Sequence, residues 1–272
     1  MKKVGFIGAG NMAQALIKGL LASRAIEPEC IVASDVEREK LSALRNLLGI
    51  GVAEANDKVS SACDVIILAV KPAQVMGVLE EIKNSIKEGS TLVSIAAGVR
   101  LSAIEATLGG GVRVARAMPN APALVGCGAT AVCFNPLVGR EDKDYVLSLF
   151  RSVGYSFELE SEELMDAVTA LSGSGPAFAS MFIEALSDGG VKMGLPRDLA
   201  LRLSAEAVSG ASQMIIREGM HPGSLKDMVA SPGGTTIEGI SALEERGFRG
   251  AIISAVESSC KRSKELSRGV DK

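Results

Sequence analysis

Short apolar runs alternate, along the first 160 or so residues, with longer segments whose apolar positions recur every three or four residues. Residues 4–7, 30–34, 64–70, 91–95, 112–115, 128–134 and 155–159 read as strands, and runs as apolar as 65–70 are those of a sheet covered on both faces. Residues 12–21, 37–48 and 140–153 between them read as helices. Six or more strands alternating with helices predict an α/β, doubly wound and mostly parallel sheet over residues 1–161. From Ser161 onward the strand runs stop and helical spacing takes over. Phe178, Met181, Phe182, Ala185 and Leu186 make one apolar stripe, and 199–216 and 251–266 are two further long helices. Residues 162–272 are thus expected to form an all-helical unit. Several apolar faces in so small a unit are best covered by a second copy, so a homo-oligomer is expected.

The first run breaks into Gly8-Ala9-Gly10-Asn11-Met12-Ala13. Gly8 permits a sharp turn, Gly10 lets backbone approach a pyrophosphate, and the helix beginning near Met12 aims its first N–H groups at that phosphate. Ala13 stands for the third glycine of the usual fingerprint. The pattern alone is weak, but a strand precedes it, a helix follows it, and further strand-helix units come after. Asp35 ends the second strand, where a ribose-reading residue belongs. An acid there favours the free 2′-hydroxyl of NAD, Ser34 and Arg38 could hold the 2′-phosphate of NADP, and a plain N-cap for helix 37–48 is equally compatible. Lys71 follows a strand's carboxyl end, where ligands of such sheets bind, although a lysine there can simply be solvated. In the loop Arg116-Ala117-Met118-Pro119-Asn120-Ala121-Pro122, Asn120 is either a carboxamide or ribose reader or the centre of an Asx turn.

A second informative stretch is Ser231-Pro232-Gly233-Gly234-Thr235-Thr236-Ile237-Glu238. Thr235 with Glu238 fits a capping box, which spends the Thr235 hydroxyl and leaves that of Thr236 free. The N–H groups of Gly234, Thr235 and Thr236 then form a nest for a carboxylate, to which Ser231 adds a side-chain bond. The alternative is a capped helix start and nothing more.

Composition narrows the partners. Hydrophobic residues make up 47% of the chain, aromatics only 3%, tryptophan is absent and the net charge is −3. Stacking and phosphate-backbone contacts to nucleic acid are therefore not expected. The five cysteines, Cys30, Cys63, Cys127, Cys133 and Cys260, are scattered, form no CxxC pair and read as small buried hydrophobes in a reducing compartment. No apolar run approaches the length of a membrane span, and a strand beginning near Met1 leaves no room for a signal peptide, so a cytoplasmic location is expected.

These stretches together resemble the Δ1-pyrroline-5-carboxylate reductases, the family that completes proline synthesis. The likeness runs from end to end. It includes the segment Gly5 to Met12, Ala69-Val70-Lys71-Pro72, Ala96-Ala97-Gly98, Met118-Pro119-Asn120 and Leu171-Ser172-Gly173-Ser174-Gly175-Pro176-Ala177. Asp188 to Pro196 and Leu225 to Thr236 continue it, the latter being the family's signature. The resemblance implies a Rossmann domain joined to a helical dimerisation domain, with each active site built from both subunits and, in many members, dimers assembled into rings. It also implies that Ser231, Gly234, Thr235 and Thr236 hold the substrate carboxylate, with Thr236 contacting the ring nitrogen. Cofactor contacts carry over to Gly8, Ala9, Gly10, Asn11, Met12, Ser34 or Asp35, Asn56, Ala69, Val70, Lys71, Pro72, Ala96, Ala97 and Gly98. Most members prefer NADPH, NADH being the alternative. Met228 replaces a polar residue found in some relatives.

The chemistry fits what the chain lacks. Neither a Cys-His nor a Ser-His-Asp set can be assembled, no metal-ligand cluster is apparent, and the one histidine, His221, precedes Pro222 in a turn and reads as structural. A protonated imine is already electrophilic and needs neither, so Thr236 is expected to orient the ring nitrogen and to relay a proton from water. The nearest rival, a β-hydroxyacid dehydrogenase, would need a general-base lysine, for which Lys192 is the candidate. A scaffold that senses NADP without turnover is a third reading.

Overall fold

The structure, a computed structural model, describes residues 2–270. Eight strands form one sheet: β1 (Val4–Ile7), β2 (Ile31–Ser34), β3 (Gly51–Val52), β4 (Val65–Leu68), β5 (Thr91–Ser94), β6 (Arg113–Met118), β7 (Gly128–Phe134) and β8 (Gly154–Glu158). Their spatial order is β3-β2-β1-β4-β5-β6-β7-β8. The strands from β3 across to β6 pair in parallel, β7 lies antiparallel to β6, and β8 is parallel to β7. The strand order turns back between β1 and β4, the switch point where open α/β sheets form their ligand crevice.

Alternation along the strands divides the core into two layers. Val4, Phe6, Val65 and Ile67 face one layer, covered by α1 (Asn11–Ala22), α2 (Arg38–Leu48) and, over the β7–β8 side, α6 (Arg140–Arg151). Ile7, Ile66 and Leu68 face the other, covered by α3 (Asn56–Ala62), α4 (Val75–Ile82) and α5 (Leu101–Leu108). With both faces covered, the strands carry the unbroken apolar runs that made them visible in the sequence.

Two details depart from expectation. β3 has only two residues, too few for any periodicity to show. β6 runs on to Met118, so Arg116, Ala117 and Met118 are strand rather than loop. Arg116 continues the ladder with β5 opposite Ser94, and β7 turns back to pair Arg116 with Cys133, Ala117 with Val132 and Met118 with Ala131. The guanidinium of Arg116, only 4% exposed, is met by Glu162 at 2.7 Å, and the same carboxylate oxygen accepts the Leu101 N–H that opens α5.

After β8 come α7 (Met165–Val168), a π-helical turn Thr169–Gly173, α8 (Gly175–Lys192), α9 (Arg197–Glu218), α10 (Pro222–Val229), α11 (Thr235–Glu245) and α12 (Phe248–Val270). The chain divides into two compact units, Met1–Gly173 with Ser259–Lys272, and Ser174–Ser258. The second compact unit thus begins at Ser174, and the end of α12 belongs to the first. Asp166 explains the second point: its buried carboxylate accepts hydroxyl hydrogens from Ser263 at 2.6 Å and Ser267 at 3.3 Å.

Within the second unit α8 and α9 form an antiparallel pair, with Gly190 close against Ala200 and Phe182 beside Phe248. Much of its apolar surface stays uncovered, including Met181 (68% exposed), Met193, Leu203 and Ile253. Among the described residues, no helix is long and apolar enough to cross a membrane.

Candidate active site

The register levels the strand ends. Ile7 pairs with both Ser34 and Leu68, and Leu68 pairs with Ser94, so the segments after β1, β2, β4 and β5 leave the sheet along one edge. Gly8 turns there with φ +97°, and a Cβ on it would stand 2.7 Å from the Ala69 carbonyl oxygen. A glycine is required on both counts. Its N–H donates to the Ser34 carbonyl (2.8 Å). Gly10 is the N-cap of α1, makes no side-chain cap and has open space beside its α-carbon. The first N–H groups of α1 are thereby left for a ligand, as a phosphate-binding turn requires.

A cleft at this edge is lined by Gly8, Gly10, Asp35, Asn56, Ala69, Val70 and Lys71, all expected, and also by Glu37, Lys40 and Gln74. Both Asp35 oxygens are engaged: Oδ2 accepts from the Ala9 N–H (2.6 Å) and Oδ1 from the Glu37 N–H (2.8 Å). Since α2 begins at Arg38 with Glu37 as N-cap, Asp35 is not the cap of that helix. Ser34 is a correction. It is buried, and its hydroxyl donates to Asn56 Oδ1 (2.8 Å), while Asn56 Nδ2 donates to Glu81 (2.9 Å). Its hydroxyl is thus spent on a lining residue, and neither Ser34 nor Arg38 is itself among the residues that line the cleft. Lys40 was not anticipated, because one lysine in a charged helix start carries no signal. Its ammonium pairs with Glu37 and its pKa is raised, chiefly by that hydrogen bond.

Asn11 is exposed at the start of α1, Met12 packs on the core, Ala9 is buried in the turn, and Pro72 opens the short 3-10 turn Pro72–Gln74 after Lys71. At the β5 end Ala97 is exposed, whereas the Ala96 methyl is in the core and Gly98, at φ +78°, lies against the backbone of Ser267. Only the backbone of Ala96 and Gly98 is therefore on offer to a ligand. Asn120 is a second correction. Its Nδ2 donates to the Ser172 carbonyl (2.9 Å) and its Oδ1 accepts from the Ala129 N–H (2.8 Å). A buried amide satisfies both ends, and here it does so on backbone, which makes it a clamp rather than a reader or an Asx turn.

In the second unit the bend at 231–236 differs from the expected capping box. α11 begins at Thr235 with Gly234 as N-cap and no side-chain cap, so Thr235 and Thr236 are its first two helical residues. Gly233 sits at φ +65°, and Gly234 packs so tightly on Ser231 that a Cβ would fall 2.2 Å from the serine Oγ. The Gly234 N–H is spent on the Ser231 carbonyl (3.0 Å) and drops out of the nest. The N–H groups of Thr235 and Thr236 remain, and neither threonine hydroxyl has a hydrogen-bond partner among the described residues. His221 caps α10, its Nδ1 accepting from the Gly223 N–H (3.1 Å). Lys192 is the exposed last residue of α8.

Comparison with known proteins agrees with these features. Residues 162–266 match the family model for pyrroline-5-carboxylate reductase dimerisation, and residues 3–98 match one described as NADP oxidoreductase, coenzyme F420-dependent. The pyrroline-5-carboxylate reductase of Escherichia coli (strain K12) is 45% identical over 267 residues, 98% of this chain and 99% of that relative. The chain belongs to the pyrroline-5-carboxylate reductase family. A solved pyrroline-5-carboxylate reductase from Coxiella burnetii has a TM-score of 0.93 at 35% identity, covering 97% of this chain and 98% of that one. The Plasmodium falciparum pyrroline carboxylate reductase, solved with NADP bound, has a TM-score of 0.87 at 34% identity, with 98% of each chain covered. Membership makes this chain an NAD(P)H-dependent oxidoreductase whose N-terminal part is the Rossmann unit.

Proposed function

We propose that this chain reduces 1-pyrroline-5-carboxylate to L-proline, the final step of proline synthesis, with NADPH as working cofactor and NADH as the alternative. The reading rests on family membership and, in the chain itself, on the bend at 231–236. There the first N–H groups of a helix have no side-chain cap, and the Thr236 hydroxyl has no partner among the described residues. A carboxylate is the ligand such a helix start favours, with Ser231 and Thr235 forming the cradle around it and Gly234, its N–H held by Ser231, shaping the bend.

The glycine turn suits the cofactor. Gly10 leaves room at an uncapped helix start, Lys40 and Lys71 bring positive charge to the cleft rim, and Ala69 and Val70 offer close-lying backbone. Bound reduced nicotinamide supplies hydride to the imine carbon. The residues of this chain supply position and charge. Thr236 donates a hydrogen bond toward the ring nitrogen and relays the proton that nitrogen gains, while the Thr235 and Thr236 N–H groups fix the carboxylate, so that orientation supplies most of the rate. Asp35 gives little ground against NADPH, because its oxygens are held on backbone N–H groups and the Lys40 ammonium lies beside it.

The helical unit pairs with that of a second copy, and the enzyme works as a homodimer or a ring of dimers. Uncovered apolar residues along α8 and α9 and the dimerisation match both support this. All five cysteines are free, which suits the reducing cytoplasm. Oxidation of NADPH and NADH, followed in parallel with pyrroline-5-carboxylate and with a set of 3-hydroxyacids run in the oxidative direction, tests the activity. Turnover of the cyclic imine is expected. Turnover of a hydroxyacid alone would assign the chain to the dehydrogenases, and cofactor binding without any turnover would make it a sensor.

A further inference from the structure

Asp35 lines the cleft at the position from which an acid reads a ribose, yet both its carboxylate oxygens are engaged by backbone N–H groups. Oδ2 accepts the Ala9 N–H at 2.6 Å and Oδ1 the Glu37 N–H at 2.8 Å. The neighbouring Gly8 N–H is held on the Ser34 carbonyl at 2.8 Å. Two successive N–H groups of the glycine turn are thus tied to the end of β2, the second through a side chain reaching across 26 residues of sequence. The tie bears on function because the turn is closely packed: Gly8 sits at φ +97°, a conformation open to glycine, and a Cβ there would fall 2.7 Å from the Ala69 carbonyl oxygen. On the far side the Ala9 carbonyl accepts from Gln14 Nε2 at 2.9 Å, a bond made from within α1, while Gly10 has no side-chain cap and open space beside it. Charge-assisted bonds to a carboxylate are the strongest means a protein has of fixing such a segment.

We propose that Asp35 is a positioning residue: its carboxylate holds the Gly8-Ala9-Gly10 turn in phosphate-binding shape and contributes equally to NADH and NADPH binding, without selecting between them. The Ala9 N–H is committed to Asp35, and the uncapped N–H groups at the start of α1 are left for the pyrophosphate that both cofactors share. This inference rests on the dinucleotide reading of the turn and adds to it which side chain shapes the turn and which cofactor property that side chain ignores.

The test is titration of full-length Asp35→Ala and Asp35→Asn with NADH and with NADPH, following nicotinamide fluorescence. Roughly 0.5 M salt screens the removed charge from a 2′-phosphate. Asp35→Ala is expected to weaken both cofactors about tenfold, the loss of one charge-assisted hydrogen bond, with the ratio of their Kd values held within about threefold, roughly half of that tenfold on a free-energy scale. Asp35→Asn keeps one acceptor oxygen and is expected to fall between Asp35→Ala and wild type. Hydrogen exchange in the peptide containing Ala9 is expected to quicken in both variants while the thermal midpoint stays near wild type. If Asp35→Ala lowers that midpoint sharply, Asp35→Asn carries the comparison. A loss confined to NADH, with NADPH unchanged or tightened, would make Asp35 a ribose reader and overturn the proposal, as would unchanged binding of both. Failure of the wild-type protein to bind either cofactor would instead overturn the dinucleotide reading itself.

Discussion

The Thr236 hydroxyl stands at the second position of α11 without a partner among the described residues, which is the state expected of a group kept for substrate. Thr236→Ala is expected to lower turnover about tenfold to a hundredfold, the loss of one directed hydrogen bond at the reacting nitrogen. NADPH binding, read by fluorescence titration, is expected to stay within twofold of wild type, and an unchanged rate would remove Thr236 from the mechanism. Asn120 serves the fold. Removing its amide leaves the Ser172 carbonyl and the Ala129 N–H without their partner, so Asn120→Ala is expected to cost about 2–3 kcal/mol in a urea titration. Of the cysteines, Cys63 and Cys133 have thiols pushed up to about 11, mainly by burial, whereas Cys127 is exposed. Native-state alkylation at pH 8, where a thiol with so high a pKa stays protonated, is expected to mark Cys127 long before those two. Equal labelling of Cys63 would contradict its placement under β1.

At the scale of elements, the glycine turn and the helix starts do the positioning. Gly8→Ala forces a Cβ onto a positive φ and into the Ala69 carbonyl, a strain of about 1–3 kcal/mol. Weakened binding of both cofactors and a lowered thermal midpoint are the expected readouts, and wild-type affinity would show that the turn does not carry the phosphate. The strands of the parallel sheet were legible because burial on both faces writes continuous apolar runs. What escaped was decided by partners distant in sequence. The last two residues of β6, Ala117 and Met118, are strand only because β7 returns beside them. The Asn120 amide is spent only because Ser172 comes within reach. Thr235 begins its helix because Gly234, pressed against Ser231, already occupies the cap position. In each case the local sequence offers a polar group or a turn, and a distant or tightly packed neighbour decides its use.

For the whole molecule, the change from strand runs to helical spacing near residue 161 correctly announced two architectures. It did not reveal that α12 ends within the first unit, since that return depends on Asp166 meeting Ser263 and Ser267, a contact with no periodic signature. The uncovered apolar residues of the helical unit carry a clear expectation. Sedimentation velocity at micromolar concentration should show a dimer or a multiple of it, and a stable monomer would leave Met181, Met193 and Ile253 without cover. Catalysis is the claim on which the remaining roles depend, and isotope transfer tests it most directly. When NADPH deuterated at the transferring position is incubated with pyrroline-5-carboxylate and this protein, the product should be L-proline with one deuterium on the ring carbon that formed the imine. Proline without deuterium, or none above the protein-free control, would contradict the account.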